Sequence, residues 1–156
     1  MIEDLEPFPD QPEVGDVFEP TTYWTDTAPD ELVTEVAARI EKVTADDRIE
    51  RLADLGDGFT TIVPSYIDAA GETVLSGCLM WDRYLWIDYH TQPTGRVQLI
   101  ERVPLFQHVV RTPTQYPNWY SVTYDGPQSL RPGHTHLDDY QVAAYALRVR
   151  TLPLPP

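Results

Sequence analysis

Between residues 28 and 44 the apolar positions recur at intervals of three and four. Leu32, Val33, Val36, Ala37, Ile40 and Val43 fall on one side of a helical period, and Glu31, Glu35, Arg39 and Lys42 on the other. Thr27 stands at the N-cap, with Asp30 three residues later and Glu31 in the first turn. The spacing predicts an amphipathic helix over 28–44 that ends at Asp46-Asp47. From Arg48 the period shifts toward two. Gly56-Asp57-Gly58 is a turn, and Phe59–Val63 is a β-branched strand closed by Pro64. A further strand spans Thr73 to Met80. In Tyr84–His90, Leu85, Ile87 and Tyr89 alternate with Tyr84, Trp86, Asp88 and His90, which predicts an aromatic strand.

Thr94-Gly95 opens a second predicted helix over 95–110, with Val97, Ile100 and Val103 on one side and a kink or break at Pro104. Trp119–Tyr124 reads as a strand, and Asp139–Thr151 as a long final one. No internal repeat is present. The order arm, helix, strands, helix, strands predicts an α+β fold: an antiparallel sheet with two helices packed on one face, preceded by an extended N-terminal arm. The expected divisions are an arm over 1–27, one domain over 28–152 and a Pro-rich tail over 153–156.

Charge sharpens that division. The chain of 156 residues carries 25 Asp+Glu against 11 Lys+Arg, a formal net charge of -14. Residues 1–38 hold 11 of the acids and no Lys or Arg, a balance of -11; the remaining 14 acids and 11 bases leave the rest at -3. Prolines interleaved with these acids favour an extended path. Yet Leu5, Phe8, Val14, Val17, Phe18, Tyr23 and Trp24 punctuate the arm, and a purely solvating tail would lack them. Two readings follow: a flexible leader, or an arm that docks its aromatics on another molecule. In the second, Leu5, Phe8, Val17, Phe18, Tyr23 and Trp24 are the anchors. The acids Glu3, Asp4 and Glu6 of one copy then lie near Arg148 and Arg150 of another.

Candidate chemistry is sparse. The acidic balance argues against general binding to a phosphate backbone, and Cys78 as the only cysteine excludes an internal disulfide or a Cys-based zinc site. Cys78 reads as a small buried apolar residue. No charged leader precedes an apolar run, and no segment approaches the ~20 apolar residues of a membrane span, so a soluble, intracellular protein is expected. His134-x-His136 with Asp139 resembles the first cupin motif and suggests a metal site, but the expected Glu is absent, with Tyr140 and Gln141 near its place. His90 and His108 lie in different elements and match no catalytic spacing with Asp88 and Cys78. No phosphate loop or nucleophile elbow occurs. No enzyme activity, metal or cofactor is expected.

The aromatic strand 84–90, the helix 95–110, the strand Trp119–Tyr124 with Asp125-Gly126-Pro127 and the closing run Tyr140–Arg150, in this order after the leading helix 28–44, resemble the tail-terminator and related neck proteins of long-tailed bacteriophages. The likeness is to those of actinobacterial hosts above all, and it spans about two thirds of the chain. It implies a non-enzymatic virion protein that forms a hexameric ring on the tail tube beneath the head. The partners implied are further copies of itself and neighbouring connector and tail-tube proteins, with no sequence-specific nucleic acid and no membrane. The Pro-rich arm and Pro104 depart from the compact members of that group. Two alternatives remain: an acidic protein that mimics nucleic acid, and a small metal enzyme using His134, His136 and Asp139. The body's balance of -3 counts against the first.

Overall fold

A computed structural model describes residues 1–4, 11–131 and 137–155. These form ten strands: β1 (Ile2–Asp4), β2 (Val17–Phe18), β3 (Thr22–Thr25), β4 (Thr34–Ala45), β5 (Arg48–Asp54), β6 (Thr60–Ile62), β7 (Gly71–Trp81), β8 (Arg96–Pro113), β9 (Tyr120–Ser129) and β10 (Tyr140–Leu152). Three-residue 3-10 turns sit at Asp30–Leu32, Leu85–Ile87 and Leu137–Asp139, and no described helix reaches seven residues. The fold is therefore nearly all β, and the expected α+β sandwich with two packed helices is corrected.

Five strands close on themselves in the cyclic order β3-β6-β5-β4-β7. Closure needs one strand to serve both ends of the sheet, and β7 does so. Its first part, Gly71–Gly77, pairs with β4, and its last part, Cys78–Trp81, pairs with β3 on the opposite edge. The changeover falls at Gly77 (φ 143°), where a Cβ would lie 2.0 Å from the Thr25 carbonyl oxygen. Only glycine lets the two strands approach so closely. Trp24, Ala38, Ile40, Ala53, Val63, Ile67 and Leu75 fill the interior, and Trp24 Nε1 donates to the Ser76 carbonyl at 3.3 Å. Thr22 and Thr61 satisfy each other there through a buried hydroxyl pair at 3.0 Å.

A second, open sheet runs β1-β10-β8, with β2 and β9 on separate stretches of the far edge of β8. β1 is the seam between it and the barrel. It pairs parallel with the end of β7 and antiparallel with β10, and Ile2 packs on Cys78, Leu105, Ala144 and Ala146. Trp81, Leu99 and Leu147 form a third cluster beneath β2.

The differences from the sequence-based expectation have identifiable causes. Over 34–45 the apolar spacing suits a helix and a strand alike, but Ala38 and Ile40 point inward and Arg39 and Glu41 outward, the period of two. Five of the twelve residues are β-branched (Thr34, Val36, Ile40, Val43, Thr44), which favours the strand. Asp46 and Asp47 both have positive φ (46° and 65°) and join Ala45 to Arg48, so they make a two-residue hairpin turn and not a helix end.

The expected helix over 95–110 is the first part of β8. Val97 and Leu99 are buried in alternation. Pro104 falls in the stretch between β2 and β9, where β8 pairs with β10 alone, next to the register shift between Val142 and Ala144. The expected aromatic strand 84–90 is a 3-10 turn. The Asp82 carboxylate takes the Tyr84 amide at 2.7 Å and turns the chain out of β7. No described helix is long and apolar enough to cross a membrane.

Candidate functional site

The most exposed regular structure is the ribbon formed by β9 and the last third of β8. Its ladder runs from Phe106↔Ser129, through a register shift, to Pro113↔Tyr120, and among the described residues β9 has no strand partner on its other edge. Tyr120, Val122 and Tyr124 line one face of β9, and Ser121 and Thr123 the other. Trp119 and Tyr116 sit in the loop at the tip, which Asn118 turns with a φ of 64°. Hydrogen bonds from the Thr114 amide to the Trp119 carbonyl (3.0 Å) and from the Trp119 amide to the Tyr116 carbonyl (3.2 Å) close that loop. The five side chains are 62 % (Tyr116), 70 % (Trp119), 57 % (Tyr120), 45 % (Val122) and 50 % (Tyr124) exposed. Single exposed hydrophobes are ordinary; a contiguous row on a free edge is not.

The ribbon is fixed at its root. Gln107 Nε2 donates to the Gly126 carbonyl at 2.6 Å, and Arg111 Nη1 to the Asp138 carbonyl at 2.8 Å. His108 lies 3.8 Å from the Asp125 carboxylate and edge-on to Tyr140. Charge is scarce along it. From Leu105 to Leu130 the chain carries only Arg111 and Asp125, in a protein of net charge -14. Aromatic enrichment with charge depletion is the composition of an interface core.

A smaller apolar group stands on the barrel, where Tyr84, Trp86 and Ile87 are exposed around the buried anchor Leu85. The segment after it is tied to β5 by Glu50, whose carboxylate accepts the amides of His90 (2.9 Å) and Thr91 (2.7 Å). His90 Nδ1 lies 3.0 Å from Asp46. Burial alone pushes the Glu50 carboxyl up. Hydrogen bonding from Thr91 and the two amides, with the His90 charge, outweighs it and holds the group below the ordinary glutamate range.

The residues expected to anchor the arm elsewhere serve mostly their own chain. Trp24 is in the barrel core, Phe18 packs on Trp81 with ring centroids 4.7 Å apart, Tyr23 pairs within the barrel wall and is half-buried, and Val17 is exposed. Glu3 is buried between Arg83 (2.8 Å) and Arg102 (3.2 Å), which stack in turn on Trp81 and Tyr145. Both carboxylate oxygens of Glu3 are thus engaged within its own chain. Asp4 contributes its backbone to β1 opposite Ala144. Leu5, Glu6 and Phe8 lie outside the described residues. Arg148 pairs with Glu101 at 3.2 Å, and Arg150 donates to Gln98, both on the adjacent β8.

His134 and His136 also lie outside the described residues. Asp139 closes the short turn before β10. Among the described residues no three His, Cys, Asp or Glu side chains could hold a metal. Cys78 is buried, and burial pushes its thiol up, away from nucleophilic chemistry.

Trp119, Tyr120, Val122 and Tyr124 were legible as a strand but not as a surface. The available signal was alternation of Tyr and Val with Ser and Thr in an uncharged stretch. No family model, curated protein or solved structure matches the chain.

Proposed function

We propose that this protein is a non-enzymatic structural subunit of a bacteriophage head–tail connector, which acts by contacts with its neighbours. The observation that carries the assembly part is the uncovered aromatic ribbon. A two-stranded ribbon is marginal by itself in water, and this one spends large aromatic side chains on solvent without using them to stabilise its own chain. Covering them repays that exposure at about 25 cal/mol per Å². The acidic surface elsewhere keeps the free subunit apart from others and leaves the neutral ribbon as the place of closest approach.

The connector context rests on the resemblance of residues 84–111 and 119–151 to neck proteins. The expected helices 28–44 and 95–110 are strands β4 and β8, and the expected strand 84–90 is a 3-10 turn, so the support that remains is the strand Trp119–Tyr124 and the closing strand Tyr140–Arg150. The tail terminator, as a ring of copies in the virion beside other connector and tail-tube proteins, stays the specific form of the proposal.

Light scattering after size exclusion and mass spectrometry of purified particles test it together. The expected outcome is an oligomer, present in virions, that Trp119→Ala with Tyr120→Ala converts to a folded monomer. A chain absent from particles sinks the connector reading.

A further inference from the structure

The outer edge of β9 is nearly symmetric about Val122. The chain reads Pro117-Asn118-Trp119-Tyr120-Ser121-Val122-Thr123-Tyr124-Asp125-Gly126-Pro127. A tyrosine lies two residues to either side of Val122, a hydroxyl residue one to either side, and a proline five to either side. The prolines, which donate no hydrogen bond, bound the stretch in which backbone groups on the free edge are open to pairing.

We infer that β9 pairs antiparallel with β9 of a second copy about a two-fold axis at Val122. This rests on the assembly reading above and names the partner at that surface. In an isologous contact, residue i of one copy meets residue j of the other and the reverse holds too, so a self-complementary strand suits it. Antiparallel pairing centred on Val122 sets Tyr120 opposite Tyr124 of the second copy, Ser121 opposite Thr123, and Val122 opposite itself. Side chains directly opposite share a face. Tyr120, Val122 and Tyr124 of both copies therefore merge into one apolar stripe, and the hydroxyls into a polar one. Trp119 falls opposite Asp125 of the second copy, an indole N–H facing a carboxylate.

Charge agrees with this pairing. Edge-to-edge contact covers the outer backbone of β9 and the flanks of Tyr120, Val122 and Tyr124, a smaller area than the ~800 Å² per partner of a standard interface. Within the paired stretch the sole charge is Asp125, so two strongly acidic chains meet where like charge is least. Any other occupant of this edge has no use for its symmetry. A two-fold contact joins copies only in pairs; closing a ring then falls to a second, heterologous face.

Cysteine placement tests the register. In a Cys78→Ser background, Val122→Cys is mildly oxidised and run on a non-reducing gel beside Ser121→Cys. Directly opposite residues have Cα atoms about 4.5–5.5 Å apart, inside the range a disulfide spans, whereas a residue displaced by two lies about 7–8 Å away. Val122→Cys is expected to give on the order of tenfold more covalent dimer than Ser121→Cys. Mixing Ser121→Cys with Thr123→Cys is expected to link the two different chains. In the otherwise natural sequence, Val122→Arg places like charges on the axis and halves the mass of the assembly with the fold intact, whereas Val122→Thr leaves that mass unchanged. Equal cross-linking at 121 and 122, or none at either, overturns the two-fold pairing. If that happens while Trp119→Ala with Tyr120→Ala still abolishes assembly, the pairing alone fails and the connector reading stands.

Discussion

The barrel and the β8–β9 ribbon are made of similar strands, yet they handle their edges in opposite ways. In the barrel, β7 takes β4 on one edge and β3 on the other, so the sheet closes and its large side chains point inward. In the ribbon, β9 has one partner, and its tyrosines point to solvent. Closure removes edges outright; an open edge keeps a row of backbone groups on which another chain can pair. The same residue type thus stabilises the fold in one region and faces solvent in the other.

Paired substitutions put this contrast at risk, and the largest effect belongs to the interior. Trp24→Ala is expected to cost about 3–5 kcal/mol in urea unfolding, while Trp119→Ala moves the stability of the monomer by no more than about 0.5 kcal/mol. Comparable losses at both positions would erase the distinction. Glu3→Ala leaves the Arg83 and Arg102 charges buried without their carboxylate, and a loss of about 3–5 kcal/mol is expected. Because among the described residues β1 alone joins the two sheets by strand pairing, hydrogen exchange in this variant should rise at the β7 and β10 amides that face it.

Glu50→Gln should cost about 1–3 kcal/mol at neutral pH, since it removes charge-assisted bonds to the His90 and Thr91 amides. The sign of the pH effect follows from the lowered folded value. The unfolded chain binds the proton more readily, so the Glu50 contribution is complete above the ordinary glutamate value of 4.5 and is lost as pH falls through the folded value. A stability profile of the Gln variant should therefore be flatter on its acid side, and an unchanged acid limb would show that Glu50 does not carry it. Arg148→Ala is the smallest expected effect. Its pair with Glu101 is solvent-exposed, and a change above about 1 kcal/mol would mean that this face is covered.

Much of the strand content was legible in the sequence. Phe59–Val63, Thr73–Met80, Trp119–Tyr124 and Asp139–Thr151 all correspond to strands, because β-branched and aromatic residues in alternation suit a pleated surface whatever the partner. The two expected helices were lost to the ambiguity of apolar spacing, which at 34–45 fits a period of two as well as one of 3.6. Asp46-Asp47 carried the missing information as a hairpin turn, but only two positive φ angles reveal it. The aromatic segment at 84–90 failed for a different reason: a single Asp82 side chain captures the Tyr84 amide, and alternation does not report such a local bond.

Composition by itself determined the acidity of the first 38 residues, the absence of an internal disulfide and the neutrality of the stretch from Leu105 to Leu130. Those are properties of residues counted one at a time. Only the tertiary structure decided that the acidic leader threads through its own sheet, that Glu3 meets two arginines 80 and 99 positions away, and that β9 keeps an open edge. Each depends on which strand lies beside which, and that pairing is set by contacts between residues far apart in the chain.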